Sequence, residues 1–357
     1  MKKRTSRIAM AALSCLLAVF TSACSLIPGK DNASNPATPS ISSTVDVNEN
    51  YYSGLFPYKE NKTRGMLSKL KSYRIDFSHL ELGLMEIARE TYKEDDYYFQ
   101  EGQVIPANQV KAWLSSPSED PAGLNPEKGG NLLVNVLEHD YLDKNSKKLS
   151  GIVLGLTLSP RYKDASGQDK MYSTDELRTK GEQLASHIVT KVHTLAPQIP
   201  MVVALYQVPD KSSTLVPGHF ILTGTVNANE SSVSKWQPID EAYYLFPSDD
   251  VYKAYPQISL QYDKLMKQTQ SFFGEYIGLT GVGRFMDGQL IEMNLTATAE
   301  YDSRTEVLQF TQYAATLIDQ LFDKKVQVNL YVQSVNKPLA IYIRPANGEG
   351  YMHIYRQ

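Results

Sequence analysis

A chain of 357 residues is long enough for two or more domains and a large core. With 42% hydrophobic and 21% charged residues, wholesale disorder is excluded. Four of the 36 basic residues (Lys2, Lys3, Arg4, Arg7) lie at the very start and no acid lies among the first 23 residues. Removing that segment moves the net charge from −3 to −7, which argues against a nucleic-acid binder.

Residues 1–7 (MKKRTSR) form a positive leader, and Ile8 to Phe20 is an apolar stretch of 13 residues. That is shorter than the roughly 20 residues that span a bilayer as a helix, and it fits the apolar part of an export signal. Thr21-Ser22-Ala23-Cys24 follows. A bacterial lipoprotein signal needs small residues before the cut and a cysteine directly after it, whose sulfur takes a diacylglyceryl group. Residues 1–23 therefore read as a lipoprotein signal peptide cleaved after Ala23, with Cys24 lipidated. Thr21 stands where leucine is usual in such signals. The bland alternatives are an uncleaved anchor or an ordinary secretory signal in which Cys24 is incidental.

Apart from Cys15 inside the apolar stretch, no other cysteine exists, so the body has no disulfide framework and no cysteine-based metal site. Ser25 to Asn50 is rich in Ser, Pro and Asn and lacks apolar periodicity. Residues 24–50 thus read as the lipidated cysteine and a disordered tether, averaging roughly 30 Å end to end. The expected partners are the membrane, held through two or more acyl chains, and the signal peptidase and diacylglyceryl transferase of maturation. The expected location is the extracytoplasmic face of the cell membrane.

Beyond the tether, Tyr51-Tyr52-Ser53-Gly54-Leu55-Phe56-Pro57 is an aromatic lead-in. Ser78–Tyr92 reads as a helix, with Ser78 and Glu81 at capping-box spacing, and Ser115–Gly130, punctuated by Pro and Gly, as a loop. A strand at Gly155-Leu156-Thr157-Leu158 precedes a second helix whose start is marked by Ser173 and Glu176. Leu177, Leu184, Ile188, Val192 and Leu195 recur along it at helical intervals, and Pro197 and Pro200 end it. Met201–Val208 and His219–Val226 follow as strands.

The same order then returns. Tyr243-Tyr244-Leu245-Phe246-Pro247 is a second lead-in, and Asp287-Gly288 is a hairpin turn between Val282–Met286 and Gln289–Asn294. Asn294-Leu295-Thr296 echoes the earlier Leu-Thr strand. Thr305–Lys324 is a helix with Val307, Phe310, Ala314, Leu317, Ile318 and Leu321 on one face. In Val326–Val332, Leu330-Tyr331 echoes Leu205-Tyr206, and Leu339–Arg344 with Tyr351–Tyr355 closes as a hairpin. The expectation is an α+β protein of two similar units, 51–226 and 227–357. Each is a mostly antiparallel sheet with one amphipathic helix packed on one face.

Catalytic chemistry finds little support. The histidines (79, 139, 187, 193, 219 and 353) show no metal-ligand spacing; His187 and His193 face different sides of their helix. Gly278, Gly281 and Gly283 precede a hairpin instead of a helix N-terminus, so they read as strand glycines, not a phosphate loop. There is no Gly-x-Ser-x-Gly. The acidic clusters Glu94-Asp95-Asp96 and Asp249-Asp250 could hold paired catalytic acids but read more simply as solvated loops. The 23 tyrosines either line a groove for glycan or peptide or, as the preferred reading, cover sheet faces and edges. No catalytic residue, metal or cofactor is expected.

Thr63-Arg64-Gly65, Leu82-Gly83-Leu84-Met85, Glu101-Gly102-Gln103, Gly123-Leu124-Asn125-Pro126 and Gly281-Val282-Gly283-Arg284, in that order, resemble the CamS sex-pheromone lipoproteins of Gram-positive bacteria. The resemblance runs from about Tyr51 to the C-terminus. It implies a surface lipoprotein with a duplicated α+β body and no catalytic residues. In some members of that family the end of the cleaved signal is trimmed to a short peptide that induces conjugative plasmid transfer. The matching segment here is Leu17, Ala18, Val19, Phe20, Thr21, Ser22 and Ala23, in which Thr21 and Ser22 depart from the mostly aliphatic pheromone pattern. The alternative is a cell-envelope binding module for peptide or glycan with no pheromone role, built on a tyrosine-lined surface between the halves; a hydrolase on the acidic clusters ranks third.

Overall fold

Two parallel strand pairs, each bridged by a long helix, organise an otherwise antiparallel molecule. The computed structural model describes residues 41–42, 51–69, 75–209, 215–272, 277–301 and 303–356. A short ribbon joins β1 (Ile41–Ser42) to β2 (Leu55–Phe56). The first large sheet contains β3 (Tyr97–Glu101), β4 (Leu133–Asp143), β5 (Leu149–Leu158), β8 (Met201–Gln207), β9 (His219–Val226) and β10 (Lys235–Pro238), in the order β10-β9-β8-β5-β4-β3. A small hairpin, β6 (Arg161–Lys163) with β7 (Asp169–Met171), projects after β5. The second large sheet runs β11 (Glu241–Phe246), β12 (Gly278–Met286), β13 (Gln289–Thr298), β14 (Gln327–Gln333), β15 (Pro338–Arg344) and β16 (Tyr351–Ile354), neighbours in chain order.

All pairings within these sheets are antiparallel except β5 with β8 and β13 with β14. Parallel neighbours need a long crossover, which α3 (Thr174–Leu195) and α6 (Arg304–Leu321) supply. The repeat seen in sequence is a repeat in space. Leu156 lies opposite Leu205 and Thr157 opposite Tyr206; Leu295 lies opposite Leu330 and Thr296 opposite Tyr331. The change from one sheet to the other falls between Pro238 and Glu241, beyond residue 226, because β10 adds an edge strand to the first sheet.

Local signals explain the helix starts. At α3 the capping box is formed: the Ser173 hydroxyl accepts from the Glu176 N–H at 3.3 Å, and the Glu176 carboxylate accepts from the Ser173 N–H at 2.8 Å. Ser303 caps α6 by accepting from the Glu306 N–H at 3.1 Å. The first helix, α1 (Phe77–Ala88), differs from its expected span. Asp76, not Ser78, is its cap, accepting from the His79 N–H at 3.1 Å. It also ends before Tyr92, whose ring stacks on Tyr141 with centroids 5.0 Å apart while its hydroxyl donates to the Pro200 carbonyl at 2.9 Å. Between β12 and β13, Asp287 (φ +50°) and Gly288 (φ +75°) make the expected tight hairpin.

The second sheet is covered on one face, as expected, though by three helices instead of one, and the first is covered on both faces. In the first, Ile152, Leu154, Leu156, Val203 and Leu205 pack with α3. The alternate residues Val153, Val202, Ala204 and Tyr206 form a separate core with Leu80, Leu84 and Ala88 of α1. Strands buried on both faces carry near-continuous apolar runs, as MVVALY of β8 does. The second sheet turns Met293, Leu295, Ala297, Val328, Leu330 and Val332 toward α4 (Asp249–Ala254), α5 (Pro256–Phe272) and α6. Its other face carries Tyr243, Arg284, Glu292, Asn294 and Asn329.

The C-terminus of α6 is closed by a buried cation. Arg344 of β15 is 1% exposed. It donates to the carbonyls of Ile318 (3.4 Å), Phe322 (3.3 Å), Asp323 (2.8 Å) and Val326 (3.0 Å), and to the Asp319 carboxylate at 3.1 Å.

Candidate functional site

A cleft of about 770 Å³ opens between α3 and the segment that follows α2 (Ala107–Trp113). Loop 115–130, expected from its prolines and glycines, forms one wall and is firmly pinned. The amide of the buried Asn125 donates to the carbonyls of Leu114 and Leu133, both at 2.9 Å, and its oxygen accepts from the Leu133 N–H at 2.8 Å. Gly123 lies so close to the Ser116 backbone that a Cβ there would sit 2.4 Å from it. Gly129 accepts from the Lys163 N–H at 2.7 Å and ties the loop's end to β6.

Across from this wall, α3 presents Lys180, Gln183, His187 and Lys191 to the cleft. Tyr172 stacks on Tyr162 with centroids 4.2 Å apart, and the Lys180 ammonium stands 4.8 Å from the Tyr172 ring centre. Gln109 and Trp113 of α2 complete the lining, which contains no acidic residue.

The sequence-predicted sites fall elsewhere. Ala23, Cys24 and the segment Leu17–Ala23 lie outside the described residues. Of the lead-in tyrosines, Tyr52, Tyr243 and Tyr244 are spent on packing, while Tyr51 is exposed. Tyr52 packs edge-on against Tyr141 at 4.9 Å, and its hydroxyl donates to the Tyr92 carbonyl. Tyr243 packs edge-on against His79 at 4.7 Å and donates to Glu241 at 3.0 Å. Tyr244 meets Tyr255 and Phe285 edge-on, both at 5.4 Å. Asp249 and Asp250 are in the first turn of α4, not a loop, where carboxylates suit the helix dipole. Glu94 pairs with Arg89 at 3.6 Å. Gly278, Gly281 and Gly283 are strand residues of β12. Among the described residues, no three His, Cys, Asp or Glu side chains gather as a metal site. No helix among them is long and apolar enough to cross a membrane.

Between α1 and the polar face of the second sheet, the surface expected to hold a tyrosine-lined groove is instead a charge network. Arg284 donates to the buried Glu241 at 2.7 Å and to Glu86 of α1 at 2.7 Å. Glu241 also accepts from the Phe220 N–H at 2.7 Å, so it links the second sheet to β9 of the first. Farther along, Glu292 accepts from the amides of Asn294 and Asn329 at 3.1 and 3.2 Å, and burial raises its pKa.

A second acidic arrangement carries no signal in sequence spacing. Glu138 and Asp140 lie on one face of β4, with Cα atoms about 7 Å apart as strand geometry dictates, and each is 1% exposed. Glu138 accepts from the Val104 and Ile105 N–H groups at 2.8 and 2.9 Å, and Asp140 from the Gln103 N–H at 2.9 Å. Burial, reinforced by the neighbouring Glu138 carboxylate, pushes the Asp140 pKa up to about 9. Burial pushes the intervening His139 down to about 3. Residues 102–105 cover both carboxyls, so their role is to hold that segment. Gly102 makes the cover fit: a Cβ there would lie 2.4 Å from the Glu138 side chain. Gly102→Ala is therefore expected to lower stability by about 1–3 kcal/mol in urea unfolding.

The family model described as "CamS sex pheromone cAM373 precursor" matches residues 58–349, well over half of the chain. The chain belongs to this family. Among solved structures, the sex pheromone precursor of Lactobacillus salivarius subsp. salivarius UCC118 superposes with a TM-score of 0.76 at 22% identity, covering 89% of this chain and all of that one. The C-terminal domain of the sex pheromone staph-cAM373 precursor of Staphylococcus aureus gives 0.68 at 22% identity, covering 79% and 97%. At these identities the likeness carries the CamS fold and no more. No curated protein matches the chain.

Proposed function

We propose that this CamS-family chain is a lipoprotein precursor with two products: a mature body anchored through Cys24 on the extracytoplasmic face of the cell membrane, and a released signal-peptide end. The observation that carries the reading is Thr21-Ser22-Ala23-Cys24 directly behind a positive leader and a 13-residue apolar stretch. That run is too short to serve as a spanning helix, and its order matches what diacylglyceryl transfer to a cysteine followed by cleavage requires. Family membership supports a product cut from Leu17–Ala23. Two or more acyl chains on Cys24 give stable anchoring where one would be marginal.

The mass of the membrane-extracted protein tests the reading beside a Cys24→Ala variant. The expected species begins at Cys24 and carries acyl chains, and the variant lacks them. An intact Met1 or an unacylated N-terminus overturns it. For the peptide, the synthetic heptamer Leu17–Ala23 is expected to induce plasmid transfer in responder cells. Silence of the heptamer and its shorter trimmed forms removes the signalling half.

A further inference from the structure

We infer that the cleft between α3 and loop 115–130 binds an extended, polyhydroxylated polyanion, a class that includes polyol phosphates and polyuronates. Charge is the first argument. Lys180, His187 and Lys191 line it and no acid does, in a chain whose net charge is −3. The acids of the facing loop are engaged locally, Glu119 with Lys69, Asp120 with the Ala122 N–H and Glu127 with Ser118. The nearest acid on the same helix face, Glu176, is engaged at the helix start, where it accepts from the Ser173 N–H at 2.8 Å and its hydroxyl at 2.9 Å. Lysines held on a rigid helix opposite a fixed wall form a positive strip that attracts anions through solvent.

Shape is the second. Steps of seven and four residues keep Lys180, His187 and Lys191 on one side of α3, about 10 and 6 Å apart along its axis. A single small anion cannot meet positions spread over about 16 Å, whereas a chain with repeating charges can. The cleft volume of about 770 Å³ is that of several polymer units.

The non-ionic lining explains the hydroxyls. Gln109 and Gln183 offer amides that can both donate and accept. Tyr172, braced by its stack on Tyr162, presents aromatic surface to the carbon backbone of a sugar or polyol. Because Asn125 and Gly123 fix the wall in place, binding carries little ordering cost.

The test is calorimetric titration of the purified full chain, in neutral detergent at low salt, with poly(glycerol phosphate), polygalacturonate and polyglutamate of equal charge. The first two are the two sources of this chemistry, and whichever binds tighter names the source. At least one is expected to bind about tenfold more tightly than polyglutamate, which has the charge without hydroxyls. Lys180→Glu with Lys191→Glu, and separately Tyr172→Ala, are each expected to weaken that binding about tenfold or more. Reversal of the exposed Lys324 and Lys325, beyond α6, should leave it unchanged. Far-UV circular dichroism checks that each variant folds. Equal binding of polyglutamate, binding of no polymer, or indifference to either cleft variant overturns the inference. Because the readout is binding by the purified chain, failure here is separate from failure of lipidation or peptide release.

Discussion

Arg344→Met is expected to lower the unfolding free energy by about 3–5 kcal/mol, read as a shifted urea midpoint with an unchanged slope. Methionine fills similar volume, so the loss comes from the hydrogen bonds. One guanidinium serves four backbone carbonyls, from Ile318 to Val326, at the end of α6 and in the turn into β14. The Ile318 and Asp323 carbonyls also accept from the Phe322 and Val326 N–H groups at 3.0 and 3.1 Å, whereas those of Phe322 and Val326 lie past the last intrahelical donor. Each buried acceptor left alone costs of the order of 1–3 kcal/mol. Arg344→Lys keeps the charge without the planar fork that reaches several acceptors at once, so it should restore less than half of the loss. Asp319→Ala should cost under about 1 kcal/mol, because that carboxylate is 44% exposed and its pair is screened. A loss below about 1 kcal/mol for Arg344→Met would mean that water replaces the guanidinium at this helix end.

Stability is also expected to fall as pH rises above neutral, with Asp140 responsible. The pKa of this carboxyl lies near 9 in the folded chain against 3.8 when unperturbed, so between those values the folded state holds a proton that the unfolded state has released. Stability then declines with rising pH, by up to about 1.4 kcal/mol per unit, and levels off above the folded value. His139 works the other way. Its pKa drops from 6.5 to about 3, so the unfolded state binds the extra proton and stability rises with pH across that range. The two effects oppose each other in acid, and the Asp140 decline stands clear above about pH 6.5. Asp140→Asn keeps the shape and removes the proton equilibrium. Its urea-derived stability should therefore be flatter than wild type between pH 7 and 9, the curves diverging by about 1–3 kcal/mol. Parallel curves would show that Asp140 is ionised at neutral pH. The buried Glu292, also raised, is unchanged in the variant and so does not enter the difference.

What the sequence made legible was what is decided within a few residues. Ser173 with Glu176, Asp287-Gly288, and the apolar spacing of Val307, Phe310, Ala314 and Ile318 announce a cap, a turn and a packed helix face through local geometry. The order of the two units was legible for the same reason, since each copy repeats local signals. Even so, Asp76 outcompeted Ser78 at α1, because either side chain could cap and the packed position of the helix decides between them. The second layer on the first sheet was harder to read, since it depends on where α1 docks.

The candidate cleft was half legible. Lys180, His187 and Lys191 recur on one side of α3 at helical intervals, so the strip is written in its polar residues as the core is in its apolar ones. The opposing wall was hidden, because its place is set by Asn125 reaching across to Leu114 and Leu133. The Glu138–Asp140 pair was equally hidden. An alternating strand with polar residues looks half solvated, and only the cover from Gly102 to Ile105 makes it dry.

The shared register of the two parallel pairs has a bearing on how the chain avoids assembling wrongly. With Leu205 equivalent to Leu330, β8 and β14 could in principle exchange partners while each sheet is still forming, a hazard of internal duplications. The flanking position discriminates. Asn329 of β14 stands where β8 has Ala204, which is buried in the apolar layer under α1. In its proper sheet the Asn329 amide reaches Glu292 and Asn294. Beside β5 it would be stranded among hydrocarbon, at a cost of some kilocalories. One polar residue thus acts as a proofreading mark, steering each strand to its own half.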